Sequence, residues 1–149
     1  MRREETVDHH IKAAWHAIAR MYNQRASAYD ATMAMGFVLL TINPEEGTAA
    51  TKIAPLMGLE ARSLTRLLNS MEERGVIERN TDPTDKRSVR VCLTAKGKEM
   101  REKAKETVVN FNELIYEEVG MEKLTVFFEV IETIQQIVEK NNNYETILK

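Results

Sequence analysis

Between Ala61 and Arg74 the chain reads ARSLTRLLNSMEER, in which Leu64, Leu67, Leu68 and Met71 recur at i, i+3, i+4 and i+7. A helix with that spacing docks one apolar stripe on a core, which leaves Arg62, Arg66, Asn69 and Glu73 on the opposite side and Ser63, Thr65 and Ser70 on the flanks. These side chains can do specific chemistry. An arginine offers a planar pair of N–H donors that matches the edge of guanine, an asparagine pairs donor and acceptor with adenine, and hydroxyls bond phosphate oxygens. The same pattern is also that of a solvated helix face, and the helix alone leaves both readings open.

A second group lies at Asp82-Pro83-Thr84-Asp85-Lys86-Arg87. Two cations follow turn-forming residues there, and a mobile hairpin tipped by Lys86 and Arg87 is shaped to reach a narrow groove. Asp85 is placed to hold Arg87 by a charge-assisted bond or to pre-orient it toward phosphate. A charged surface loop is again the alternative. Charge distribution supports the first reading: Lys52 to Lys105 carries 13 Lys/Arg against 8 Asp/Glu, whereas Glu106 to Lys149 carries 3 against 9, within a net charge of -2. A basic middle and an acidic end favour a local surface for an anionic polymer.

Other chemistry finds little support. There is no Ser/His/Asp set, no HExxH and no glycine-rich phosphate loop, so the chain is not expected to be an enzyme. His9 and His16 share a helical face but are two turns apart, about 10 Å, too far for one zinc, and His9 and His10 point apart. No metal site and no cofactor are expected. Cys92 is the one cysteine, so it forms no internal disulfide, and its alternation with Val91 and Leu93 predicts an outward-facing thiol. No apolar run approaches the roughly 18 residues of a membrane span, and MRREET lacks the apolar stretch of a secretory leader. A cytoplasmic location is expected.

The elements that position these residues can be read in order. Val7, Ile11, Trp15, Ile18 and Tyr22 predict an amphipathic helix over about 6–29, and an apolar helix follows over 33–42, stopped by Asn43-Pro44. Helices over 49–57 and 61–74, each ended by a glycine, form a helix-turn-helix. Strands over 76–79 and 88–93 flank the charged tip as a small antiparallel β-wing, with Val89, Val91 and Leu93 on one face. Thr94 caps a long helix reaching about Val119, Gly120 breaks it, and a last helix spans about 122–140. The class is mainly α, a winged helix-turn-helix with long N- and C-terminal helices. The stripes on those outer helices, including Ile11, Trp15, Ile18, Phe111, Ile115, Phe127 and Ile131, exceed what one small core covers, so a homodimer is expected.

The run Leu67 to Gly97, LLNSMEERGVIERNTDPTDKRSVRVCLTAKG, resembles the signature of the MarR family: a recognition helix ending in Gly, an Asp85-x-Arg87 wing, and Leu93-Thr94-x-x-Gly97 opening the next helix. The resemblance implies one domain over 1–149, with dimerisation helices at 1–30 and 106–149 around a winged-helix DNA-binding lobe at 31–105. It implies Ser63, Thr65, Arg66 and Asn69 in the major groove and Arg87 in the minor groove of double-stranded DNA at a pseudo-palindromic operator. It further implies a repressor relieved by a small lipophilic or phenolic effector, for which His16, Met33, Met35 and Phe111 are the candidate lining, although a Met-rich stretch also reads as plain core. Redox sensing through cysteine is disfavoured, since the first helix, where such a regulator would carry its thiol, has none. Two departures stand out. Glu60 holds the position of a Ser or Thr helix cap, and Pro55 lies inside the first helix of the helix-turn-helix, where a kink or late start is expected. A winged-helix module that binds a protein rather than DNA is the alternative function; Arg62, Arg66 and Arg87 together favour DNA.

Overall fold

In the computed structural model, which describes residues 1–142, the stripe of the central helix is buried as its spacing requires. Leu64, Leu68 and Met71 are 3%, 3% and 0% exposed, and Leu67 is partly buried. They close a core with Met35, Val38, Leu39, Ile42, Ile53, Val76, Ile77 and Val91. The elements run α1 (Val7–Ser27), α2 (Met33–Thr41), β1 (Thr48–Ala49), α3 (Ala50–Met57), α4 (Ala61–Glu73), β2 (Ile77–Thr81), β3 (Val89–Leu93), α5 (Ala95–Val119) and α6 (Met121–Lys140), after a short 3-10 turn at Arg3–Glu5. Packing divides the chain into two units, Met1–Val108 and a second beginning at Val109.

Three antiparallel strands, in the order β1-β3-β2, form the sheet of the first unit. The sequence predicts two strands and a helix that starts at Ala49. Thr48 and Ala49 instead pair with Val91 and Arg90, so α3 starts one residue later. The wing hairpin is also longer than its apolar residues indicate, because Asn80 and Thr81 pair with Arg90 and Val89. Ladder bonds come from the backbone and need no apolar side chain. Along β3, Val91 is fully buried and Leu93 partly, whereas Val89 is 44% exposed because it lies at the tip end of the ladder.

Glycines end both helices of the helix-turn-helix, Gly58 with φ of 64° and Gly75 with φ of 72°, the left-handed geometry that a side chain resists. Pro55 stands within α3, which runs through it for two more residues. Both Pro55 and Thr51, whose carbonyl loses its helical partner, are exposed residues. Glu60 occupies the N-cap of α4 with no side-chain bond to the helix.

The first turn of α5 grips the chain leaving α4. Thr94 caps α5 by accepting from the Gly97 N–H at 3.0 Å, and its own hydroxyl donates to the Gly75 carbonyl at 2.6 Å. Lys96 Nζ donates to the Arg74 carbonyl at 3.0 Å, and the Thr94 N–H donates to the Val76 carbonyl at 3.2 Å. Gly97 allows this approach: a Cβ there would lie 1.9 Å from the Val76 oxygen. In the second unit, α6 buries Leu124 while Val126, Phe127, Phe128, Val130, Ile137 and Val138 remain about half exposed or more. The last seven residues of the expected 106–149 segment lie outside the described residues.

Candidate nucleic-acid interface

Arg62, Ser63, Thr65, Arg66 and Asn69 are all exposed on α4, opposite the buried leucines. Thr65 donates its hydroxyl back to the Ala61 carbonyl at 2.9 Å, which leaves its oxygen able to accept. The C-terminal end of α4 is tied to the wing through Glu72, whose carboxylate receives Arg79 Nε at 2.6 Å. Among the described residues, no ion pair engages Arg62, Arg66, Lys86 or Arg87. Four exposed cations on one helix and one hairpin tip are therefore available to an anion.

Wing geometry differs from the sequence reading in one respect. Asp85 accepts from the backbone N–H of Arg87 at 3.0 Å, and the Ser88 N–H donates to the Asp85 carbonyl at 2.9 Å. Asp85 thus shapes the turn that carries Lys86 and Arg87 rather than holding the guanidinium. A residue the sequence reading did not single out, Asp82, closes the hairpin: its N–H donates to the Ser88 carbonyl at 3.0 Å, and its Oδ1 accepts from the Thr84 N–H and hydroxyl at 2.9 and 2.7 Å. Its Oδ2 pairs with Arg90 Nη2 at 3.2 Å. The Asp-x-Thr spacing of an Asx turn is the sequence signal that marks Asp82; Arg90 carries none.

Cys92 does not face outward. It is partly buried, with Sγ packed at Gly47, where a glycine Cβ would come within 2.6 Å of it. His16 is exposed on α1, and Met35 belongs to the core at 6% exposure. Met33 lines a cleft of the first unit together with Tyr22, Tyr29, Phe37 and Leu40. Phe111 belongs to the second unit and is not among the cleft's lining. The lining is largely apolar but includes Arg25 and Lys103, the latter with Nζ 4.9 Å from the Tyr29 ring centroid. Burial pushes the Tyr22 phenol above its ordinary range, so it stays neutral. Among the described residues no cluster of His, Cys, Asp or Glu is arranged to hold a metal, and no helix is long and apolar enough to cross a membrane.

A helix-turn-helix backed by a three-stranded sheet, with a basic hairpin beside the second helix, defines a winged helix-turn-helix protein. Residues 32–89 match the model of the MarR family. It is 29% identical over 124 residues to the HTH-type transcriptional regulator SarZ of Staphylococcus saprophyticus, covering 83% of this chain and 82% of SarZ. Two solved structures share the fold. The S. aureus MepR–DNA complex superimposes with a TM-score of 0.81 at 17% identity, covering 88% of this chain and 97% of MepR. The PcaV regulator of Streptomyces coelicolor, solved with its natural ligand, gives 0.78 at 18% identity, covering 91% of this chain and 96% of PcaV.

Proposed function

We propose that the chain is a cytoplasmic, sequence-specific DNA-binding transcriptional regulator that acts as a homodimer. The observation that carries this reading is the outer face of α4, where Arg62, Ser63, Thr65, Arg66 and Asn69 stand exposed above a buried leucine stripe. That face enters the major groove, and Lys86 and Arg87 on the wing reach the flanking backbone and minor groove. SarZ, a transcriptional regulator, and MepR, solved on DNA, support it by similarity. A second copy of the chain supplies cover for apolar residues that stand half exposed on the outer helices, Ile11 and Trp15 on α1 and Phe127 and Phe128 on α6. Two recognition helices related by a two-fold axis then read half-sites about one helical turn apart, ~10 bp.

Relief of repression follows when a small lipophilic or phenolic anion enters the cleft. Its apolar wall accepts a ring or acyl body, and Arg25 and Lys103 receive the charge. The ligand must bind the DNA-incompetent state more tightly, because equal affinity for both states shifts nothing.

Selection of bound sequences from a random DNA pool, followed by titration of the enriched site at several salt concentrations, tests the proposal. A pseudo-palindrome bound with steep salt dependence is the expected result. No enrichment and a flat salt response would assign the α4 face to a protein partner.

A further inference from the structure

The wing root contains a charge the DNA surface does not use. Arg90 is the second residue of β3, between Ala49 of β1 and Asn80 of β2. Its guanidinium makes three contacts to two different segments: Nη2 to Asp82 Oδ2 at 3.2 Å, and Nη1 to the carbonyls of Glu46 and Gly47 at 3.1 and 3.2 Å. Asp82 is 5% exposed. One segment is the loop entering the helix-turn-helix, which is itself ordered by Asn43: Oδ1 accepts from the N–H groups of Glu45 and Glu46, and its own N–H donates to Thr48 Oγ1. The other is the base of the tip that carries Lys86 and Arg87. Gly47 makes room for the arrangement, since a Cβ there would sit 3.3 Å from Arg90 Cγ and 2.7 Å from the Val91 carbonyl.

We infer that Arg90, through Asp82 and the Glu46-Gly47 carbonyls, is a positioning residue that sets where the wing tip presents Arg87 to DNA. Both of its terminal nitrogens are engaged by protein acceptors, so it acts on the anion through the tip. A lysine cannot substitute, because one ammonium on a flexible stem does not reproduce a planar fork bridging a carboxylate and two carbonyls. The inference rests on the DNA-binding reading above.

The test measures affinity for the selected DNA site, its salt slope and the melting temperature in Arg90→Gln, Arg90→Lys, Arg87→Ala and the double variant Arg87→Ala/Arg90→Gln. A positioning role predicts about tenfold weaker binding for each Arg90 variant, on the order of one well-made contact. It also predicts a salt slope lowered by no more than in Arg87→Ala, and a double variant little weaker than Arg87→Ala alone, because the two changes act through the same tip. Arg87→Ala itself should reduce the slope by about 0.9 per subunit. Full additivity of the two changes, or parent-like affinity in both Arg90 variants, overturns the inference. A slope in the double variant lower by about a further 0.9 than in Arg87→Ala makes Arg90 a phosphate ligand and also overturns it. Should Arg90→Gln melt below the assay temperature, Arg90→Lys alone and combined with Arg87→Ala carries the same comparison. A parent protein that selects no DNA fails the reading beneath, which is distinguishable from any of these results.

Discussion

Arg90 and Asp82 form an ion pair of 3.2 Å across the base of the wing, between a residue 30% exposed and one almost wholly buried. The Asp82 carboxyl is held below its ordinary range chiefly by the Thr84 N–H and hydroxyl, with Arg90 adding attraction and burial opposing. A carboxylate depressed in the folded state contributes stability that is complete above the unfolded range, ~4, and lost as pH falls through the folded value. Asp82→Asn should therefore melt below the parent at pH 7, and the gap should close as pH is lowered below about 4. Melting curves from neutral pH to about 3 check this; a gap constant with pH would attribute the loss to packing instead.

Arg66→Ala should weaken specific DNA binding by about 1–3 kcal/mol and relax preference at one base position, whereas Arg87→Ala should weaken it with little change in preference. Binding of the selected site and its single-base variants separates the two. Equal loss of preference in both would remove the division of labour between α4 and the wing.

Gly97→Ala places a methyl against the Val76 backbone, 1.9 Å from its oxygen, where no flexible side chain can yield. Overpacking of this kind costs about 1–3 kcal/mol, and a backbone obstacle argues for the upper end. Gly36→Ala is the control, because its nearest neighbour is Ala104 Cβ at 3.8 Å and alanine favours a helix by about 1 kcal/mol. Urea denaturation of both variants should give opposite signs, and a stable Gly97→Ala protein would refute the assigned contact.

Lys103→Gln and Arg25→Gln should each reduce the rise in melting temperature that a simple aromatic carboxylate such as salicylate produces. Each is expected to weaken binding about tenfold, the scale of a charge-assisted bond. Salicylate that neither stabilises the parent nor weakens its DNA binding would take this anion class out of the cleft.

Much of α4 was legible because burial and exposure on a helix share one period. Placing Leu64, Leu68 and Met71 inside leaves Arg62, Arg66 and Asn69 no other side. Thr94 and Gly97 were legible for a different reason, as a cap and a glycine at fixed spacing, and the fold gives them adjacent tasks. What escaped has no period. Thr48 and Ala49 are too short to alternate, and Arg90 meets Asp82 only because a hairpin folds back. Met33 and Met35 look alike in the chain, yet two residues turn a helix by about 200°, so one lines the cleft and the other enters the core.

The carbonyls of Arg74, Gly75 and Val76 follow one another directly after α4, and Lys96, Thr94 Oγ1 and the Thr94 N–H take one each. Carbonyls at a helix end are ordinarily left to water, which exchanges freely as the helix moves. Here they are claimed by the first turn of α5, whose later residues Met100, Lys103, Ala104 and Thr107 line the cleft. The junction consequently has no slack: α4 cannot tilt away from α5 without breaking three bonds at once. A displacement of the first turn of α5 would therefore bear directly on the end of α4 through those three bonds.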